Sequence, residues 1–430
     1  MATNRPPGPR GHWLTGNIRP YEADRIGFLR RCHTEYGDVF SFDERTVCVI
    51  DPVVAHDVLA RTGGDFVTEL TPFDGPPDLE FAAASGREWT PARRAARAGL
   101  VAQATTTIDI RTAQILDQVL TATGGHEVDV LDVMRAFAAR SIADHCLGAD
   151  AGDVPRTLAD AIAATAPFET ASYAAPPWLP TVRRRRFRYA HRRFTETLSD
   201  VVARRRAAGD RRPGSSGAGD PTPAADLLDV LLAADPTLPD HLVVSTLRTV
   251  LIGGYGVPAA ALTSIVRELA LRPRLVARLR TDAGQAGGGR ADGGLAGAVV
   301  AEVLRLHPPA WLLTRTVRRD TTVGRWSVRA GDEVLLNAYL IHRDPRWWPR
   351  PEEFDPDRWL TGAAAPGLTY LPFGAGPRVC LGTMLTRRQL ALVTSRLAGR
   401  FAIASPNAAS AGPAFAGRLA PAGLRARFTT

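Results

Sequence analysis

Twelve residues near the C-terminal end constrain this chain more than any others: Leu371-Pro-Phe-Gly-Ala-Gly-Pro-Arg-Val-Cys-Leu-Gly382. They hold Cys380 between glycines, with Phe373 seven residues upstream and Arg378 two residues upstream. From Thr383 to Leu397 the apolar positions Leu385, Leu390, Val393 and Leu397 recur about one turn apart, which predicts a helix. The cysteine therefore precedes a helix N-terminus, where unpaired N–H groups and the helix dipole favour an anionic sulfur. A thiolate in that position binds metal strongly. The plain alternative is a buried free cysteine in a glycine turn.

Phe-Gly-x-Gly-x-Arg-x-Cys-x-Gly is the haem-binding signature of the cytochrome P-450 family, and Phe373, Gly374, Gly376, Arg378, Cys380 and Gly382 match every fixed position. The stretch therefore resembles that family's cysteine loop. Other segments repeat the resemblance in order. Glu302-Val-Leu-Arg305 places two charges one helical turn apart, which alone reads as a surface ion pair. With Phe354-Asp-Pro-Asp-Arg358 it is similar to the family's interlocked Glu302, Arg305 and Arg358 positions, whose implied role is structural. A paired network makes burial of such charges tolerable. Trp89 and Arg93, four apart on a helix, both donate in one direction and resemble the family's propionate-binding helix. Arg315 and Arg378 match further propionate partners. His342-Arg-Asp-Pro345 also fits the pattern, with no catalytic role for His342.

The resemblance implies a mainly α fold with minor β, the cytochrome P-450 fold. It implies a large helical part, a small strand-rich part, and haem between a long central helix and the cysteine loop. It also implies heme b with Cys380 as the iron ligand, and electrons from NAD(P)H through a ferredoxin or flavodoxin with its reductase. No donor domain is read in this sequence, so a separate donor is expected. Arg378, Arg387 and Arg388 are candidate docking charges for it. The expected organisation is one domain over residues 1–430, a monomer, with flexible surface loops at 207–224 and 282–297, where Gly, Ser, Pro and Asp accumulate.

Composition narrows the classes that remain. The four cysteines show no zinc-ligand spacing and are too sparse for a disulfide framework, so a reducing cytoplasm is expected. The start of the chain lacks the apolar core of a signal peptide. Net charge is +9 and every basic residue is arginine, which reads as GC-rich bacterial codon usage. The arginines are dispersed with no aromatic-interleaved basic motif, so no nucleic-acid role is expected. The run Arg183 to Arg193 reads as a solvated helix face. Residues 248–267 carry no charge between their terminal arginines, but Gly253, Gly254, Gly256 and Pro258 make a poor membrane span. A long helix through the protein's interior, without membrane insertion, explains the stretch better.

Short strands are expected at Asp38 to Phe42, Thr46 to Asp51, Thr321 to Val328 and Asp332 to Asn337. Helices are expected at Ile26 to Tyr36, Val53 to Arg61 and Ala298 to Leu306, and through most of residues 86–235.

One motif departs from the family. Its long helix normally carries Ala/Gly-Gly-x-Asp/Glu-Thr-Thr/Ser, whose acid and alcohol help deliver protons on the distal face of the haem. Here Gly253-Gly-Tyr-Gly-Val-Pro258 occupies that place, with the helix expected to continue from Ala259 to Arg280. The acid position is Gly256 and the alcohol position is Val257. Neither side chain relays a proton. Pro258 has no N–H, so it frees the carbonyl of Gly254 and is expected to kink the helix. Gly254, Gly256 and Val257 are the candidate distal residues, with water or a substrate group at the freed carbonyl supplying protons.

Three readings follow. The first is an O2-dependent monooxygenase or oxidase of secondary metabolism, antibiotic biosynthesis included, performing hydroxylation or ring closure, coupling, desaturation or rearrangement. The second is a peroxygenase or haem-thiolate dehydratase/isomerase that needs no reductive O2 activation. The third is a haem protein that binds without turnover. The expected pocket residues are Ile252, Gly253, Gly256, Val257 and Ala310 to Thr314, with Phe168 to Leu179 as roof. They are mostly small or apolar, which suits a sizeable, mainly apolar ligand.

Overall fold

The computed structural model describes residues 4–12, 16–68, 86–103, 108–169, 181–209, 226–285, 294–362 and 367–430. Contacts divide the chain into two compact units, residues 1–73 with 301–380 and residues 74–300 with 381–430.

The first unit is built on a five-stranded sheet. Strands Val39–Ser41 and Thr46–Val49 pair antiparallel with Phe40 opposite Cys48, as their β-branched and aromatic residues predict. Thr46–Val49 then runs parallel to Glu333–Leu336, which pairs antiparallel with Leu313–Val317. Pro52 opens the helix Pro52–Ala60 at its first position, and Asp51 caps it by accepting from the Val54 N–H at 2.8 Å. Thr321–Val323 and Trp326–Val328 form a hairpin whose turn uses Gly324 at a φ of 58°.

The second unit is mostly helical. Its centre is Asp240–Leu271, a 32-residue helix. Val243, Leu247, Leu251 and Tyr255 of that helix join one core with Ile142, Cys146 and Leu147 of the helix Val130–Leu147 and with Phe194 and Leu198 of the helix Val182–Gly209. By length and composition the long helix could cross a membrane, but 67% of its most apolar window is buried inside the fold. That supports the reading of a core helix.

Several expectations need correction. The long helix ends at Leu271, and a second helix, Pro273–Gln285, follows Arg272. Pro273 starts that helix because it cannot continue the previous one, and it drives Arg272 out of the helical region. The expected loops are narrower than drawn: residues 207–209 close one helix, 282–285 close another, and 294–297 open the helix Gly294–Leu306. The rest of both loops lies outside the described residues. A three-stranded sheet of Val128–Asp129, Arg425–Thr429 and Ala402–Ala404, and a hairpin of Pro413–Ala416 and Arg418–Pro421, were not read from the sequence. The polar–apolar alternation of Arg425-Ala-Arg-Phe-Thr429 was the available signal.

The long helix runs unbroken through a buried Pro258. Its glycines divide by face. A Cβ added at Gly254 would overlap Cγ1 and Cδ1 of Ile142, whereas at Gly253 and Gly256 it would meet nothing within 4 Å. Gly254 is therefore a packing glycine turned toward Val130–Leu147, and the open face carries Gly253 and Gly256. Gly254→Ala is expected to lose about 1–3 kcal/mol in urea melts, recovered in part by adding Ile142→Ala, while Gly256→Ala is neutral or stabilising by about 0.5–1 kcal/mol. Equal effects at the two glycines would contradict this assignment of faces.

Candidate haem-thiolate site

The cysteine loop takes its shape from glycine and from its own backbone. Gly374 and Gly376 have φ values of 68° and 72°, in the left-handed region that side chains resist. Gly376 also lies so close to the carbonyl of Leu59 that a Cβ has no room. One turn, Gly376–Arg378, follows with Pro377 at its start, and the Val379 N–H donates to the Gly376 carbonyl at 3.0 Å. The Cys380 N–H donates to the carbonyl of Phe373 at 3.0 Å, which closes the loop. Three residues on, the helix Thr383–Arg400 begins, as predicted.

Of the four cysteines only Cys380 is exposed. Burial raises the thiols of the other three, Cys32 to about 11 and Cys48 and Cys146 further. Those three hold their protons and cannot serve as thiolates. The sulfur chemistry of this chain is confined to Cys380.

In the same unit Arg315, on the strand Leu313–Val317, is buried. Its Nε donates to Thr62 Oγ1 at 2.9 Å and its Nη1 to the Thr314 carbonyl at 2.7 Å. Burial, and then the positive charge of Arg378, push Arg315 down to about 10, and burial also lowers half-buried Arg378. Among the described residues no carboxylate pairs with Arg315. A desolvated arginine with no carboxylate beside it, as at Arg315, favours an incoming anion. With an exposed cysteine on the neighbouring loop, Arg315 and Arg378 fit a haem that brings its own carboxylates. Trp89 and Arg93 fall on the helix Gly86–Gln103 of the other unit. Arg93 is half-buried, and the side chain of Trp89 lies outside the described residues.

Behind the loop stands the charge network expected from Glu302, Arg305 and Arg358. Glu302 and Arg305 are fully buried, and Arg305 Nη2 meets Glu302 Oε1 at 2.8 Å. Arg358 Nε reaches the same oxygen at 3.1 Å. The sequence did not reveal two further donors, the Asp355 N–H at 2.9 Å and the Trp359 indole at 2.8 Å. Burial raises the Glu302 pKa, but the Arg305 bonds and charge, the Asp355 N–H and the indole outweigh it and leave the carboxyl below its ordinary value. Arg305 also donates to the carbonyls of His342, Pro351 and Glu353, and Arg358 to those of Pro349 and Arg350. Arg350 adopts a φ of 49°, a left-handed strain that these bonds hold in place.

His342 ties the network to the cysteine loop. Its Nε2 accepts from the Leu371 N–H at 2.8 Å, so its Nδ1 carries the proton and donates to the Arg305 carbonyl at 3.2 Å. The ring is structural, as expected.

The remaining candidates fall as follows. Ile252 and Val257 are half-buried on the long helix beside open Gly253 and Gly256. Arg388 forms a two-pronged ion pair with Asp109 at 2.8 and 2.9 Å, a contact within the fold. Phe168 packs edge-on against Phe187, and residues 170–179 of the expected roof lie outside the described residues.

Comparison with known proteins decides the family. The model for cytochrome P-450 matches residues 6–415. The chain belongs to the cytochrome P-450 family. Cyclooctatin synthase of Streptomyces melanosporofaciens is 35% identical over 226 residues, 49% of this chain and 48% of the relative. Cyclooctat-9-en-7-ol 5-monooxygenase of the same organism is 30% identical over 237 residues, 52% of this chain and 49% of the relative. These matches span about half the length of either relative. Among solved structures, the cytochrome P450DA heme domain aligns with a TM-score of 0.81 at 20% identity, covering 100% of this chain and 98% of the other. Retinoic acid bound cyanobacterial CYP120A1 aligns with a TM-score of 0.80, again at 20% identity and with 100% of both chains covered. At that identity the structures establish the cytochrome P-450 fold.

Burial pushes His342 down to about 3 from 6.5. An unfolded histidine takes up a proton near pH 6.5 that folded His342 refuses. Its contribution to stability is therefore complete above about pH 6.5 and shrinks as the pH falls toward 3, by up to ~1.4 kcal/mol per pH unit. Urea melts between pH 7 and 5 should show His342→Gln taking up fewer protons on unfolding than the wild type, a deficit that grows from about a quarter of a proton at pH 7 toward one at pH 5. An unchanged pH slope would mean that this ring is not held neutral.

Proposed function

We propose that this chain is a haem-thiolate oxidoreductase that uses O2 and externally supplied electrons to oxidise a mainly apolar small molecule. Its substrate is a bacterial secondary-metabolite intermediate. The observation that carries the reading is the pairing of one exposed cysteine, on a glycine-shaped loop, with two desolvated arginines of the same unit. Cys380 would ligate the iron, and Arg315 and Arg378 would meet the propionates. By family resemblance Trp89 and Arg93 would add donors. Thiolate-ligated haem supplies O–O bond cleavage, because the sulfur pushes electron density toward the iron.

The chain's own contribution is to position and exclude. The Phe373 carbonyl fixes the backbone of Cys380, and the Glu302 network fixes the segment behind it. On the long helix, Gly253, Gly256 and Val257 leave space for a ligand and hold no transferable proton. Ordered water, or a hydroxyl or carboxyl of the substrate, then delivers protons. The two Streptomyces relatives, one named for oxidising an alcohol, support an apolar, partly oxygenated substrate. A ferredoxin or flavodoxin with its reductase is the proposed electron source, and the protein is proposed to act as a cytoplasmic monomer.

Gly256 and Val257 also favour a second reading, in which peroxide or an already activated substrate replaces O2 and reductase. Turnover of candidate substrates with NADPH, ferredoxin and reductase, set against hydrogen peroxide alone, separates the two. Product with the electron-transfer chain is expected. Product with peroxide only would overturn the first reading in favour of the second.

A further inference from the structure

Arg305 and Arg315 lie in the same unit and are both buried, yet they use their donors differently. A guanidinium carries five N–H donors and accepts nothing. Arg305 uses all five, two on Glu302 and one each on the carbonyls of His342, Pro351 and Glu353. Arg315 uses two, Nε toward Thr62 Oγ1 at 2.9 Å and Nη1 toward the Thr314 carbonyl at 2.7 Å. Neither acceptor is charged. One donor on Nη1 and both on Nη2 are left without a partner among the described residues. A purely structural guanidinium at this depth is expected to be paired as Arg305 is, because a buried unpaired donor is costly. Arg315 is held at Nε and open at Nη2, the form that suits an anion from outside the chain.

Thr62 is what holds Nε, and its own place is fixed from several sides. It is buried just beyond the helix Pro52–Ala60, where its N–H donates to the Leu59 carbonyl at 3.3 Å. Its hydroxyl points its proton to the Val58 carbonyl at 3.4 Å, which turns a lone pair toward Arg315. The preceding residue, Arg61, pairs with Asp57 at 2.7 Å and Asp65 at 2.9 Å, donates to the Thr322 carbonyl and lies over the Phe66 ring. Leu59, at the same helix end, has its carbonyl against Gly376 of the cysteine loop. One short turn therefore touches both Arg315 and the loop of Cys380, the first through a side chain and the second through backbone.

Resting on the haem-thiolate reading above, we propose that Thr62 is a positioning residue for the cofactor. By accepting from Nε it fixes Arg315 so that the remaining donors meet a haem carboxylate. A hydroxyl suits this task because it occupies one donor without neutralising the guanidinium. An aspartate at the same place would pair with Arg315 and cancel the charge that a haem carboxylate needs. An apolar side chain would leave Nε bare and the guanidinium free to turn. Thr62 thus acts through Arg315, and its effect is confined to a cofactor that carries carboxylates.

The test measures haem release from the loaded enzyme to excess apomyoglobin, followed by absorbance. Thr62→Val keeps the shape and removes the acceptor, and should speed release about five- to thirtyfold. Thr62→Ser restores the acceptor and should return the rate to within about twofold of the wild type. The same enzymes are then loaded with the dimethyl ester of haem, which has no carboxylate for Arg315 to meet. There Thr62→Val and the wild type should release alike, whereas a merely structural threonine would matter equally with either haem. The reduced carbonyl spectrum of the wild type reports the haem-thiolate reading separately, and a missing red-shifted band overturns that reading and this proposal with it. With the band intact, the role of Thr62 is overturned by equal release from wild type and Thr62→Val, by no rescue in Thr62→Ser, or by the same acceleration with the ester.

Discussion

The carboxylate of Glu302 accepts five hydrogen bonds where no solvent reaches, and the cysteine-bearing unit depends on it. Burying a carboxylate and two guanidinium groups costs several kcal/mol per ion, and only complete pairing offsets it. Here pairing is complete at the carboxylate, and the arginines use their remaining donors on backbone carbonyls of residues 342–353. That segment has little regular structure, so its carbonyls would otherwise lack partners. His342 then carries the order forward to Leu371, the first residue of the cysteine loop. A structural charge cluster thereby fixes the loop that carries Cys380, the proposed iron ligand.

Much of this could be read from residue order. Cys380, its glycines and the Glu302–Arg305–Arg358 set are local motifs whose chemistry dictates their neighbours, and the strand pairs and Pro52 helix follow from short-range preferences. The Asp355 N–H and the Trp359 indole escaped because a backbone donor has no residue signature and an indole more often packs than donates. The break at Arg272 was missed because apolar periodicity continues across Pro273, although the backbone cannot. The pairing of Arg388 was not legible either, since a basic side chain in sequence does not reveal an Asp109 lying 279 positions away.

The long helix shows the same limit from the other side. Gly253, Gly254 and Gly256 look alike in sequence, yet Ile142 claims Gly254 and leaves the other two open. Only packing distinguishes a glycine that admits a neighbouring helix from one that leaves room for a ligand. With no acid or alcohol at Gly256 and Val257, the helix offers shape rather than protons. In the proposed function, what would set this member apart within its family lies along the long helix.

The claim on which the rest stands is that Cys380 is the thiolate ligand of a haem. The absorption spectrum of the reduced carbonyl complex tests it most directly. The wild-type protein should show the red-shifted band characteristic of thiolate ligation, and Cys380→Ser, still folded by circular dichroism, should lack it. Persistence of that band in Cys380→Ser would contradict the assignment.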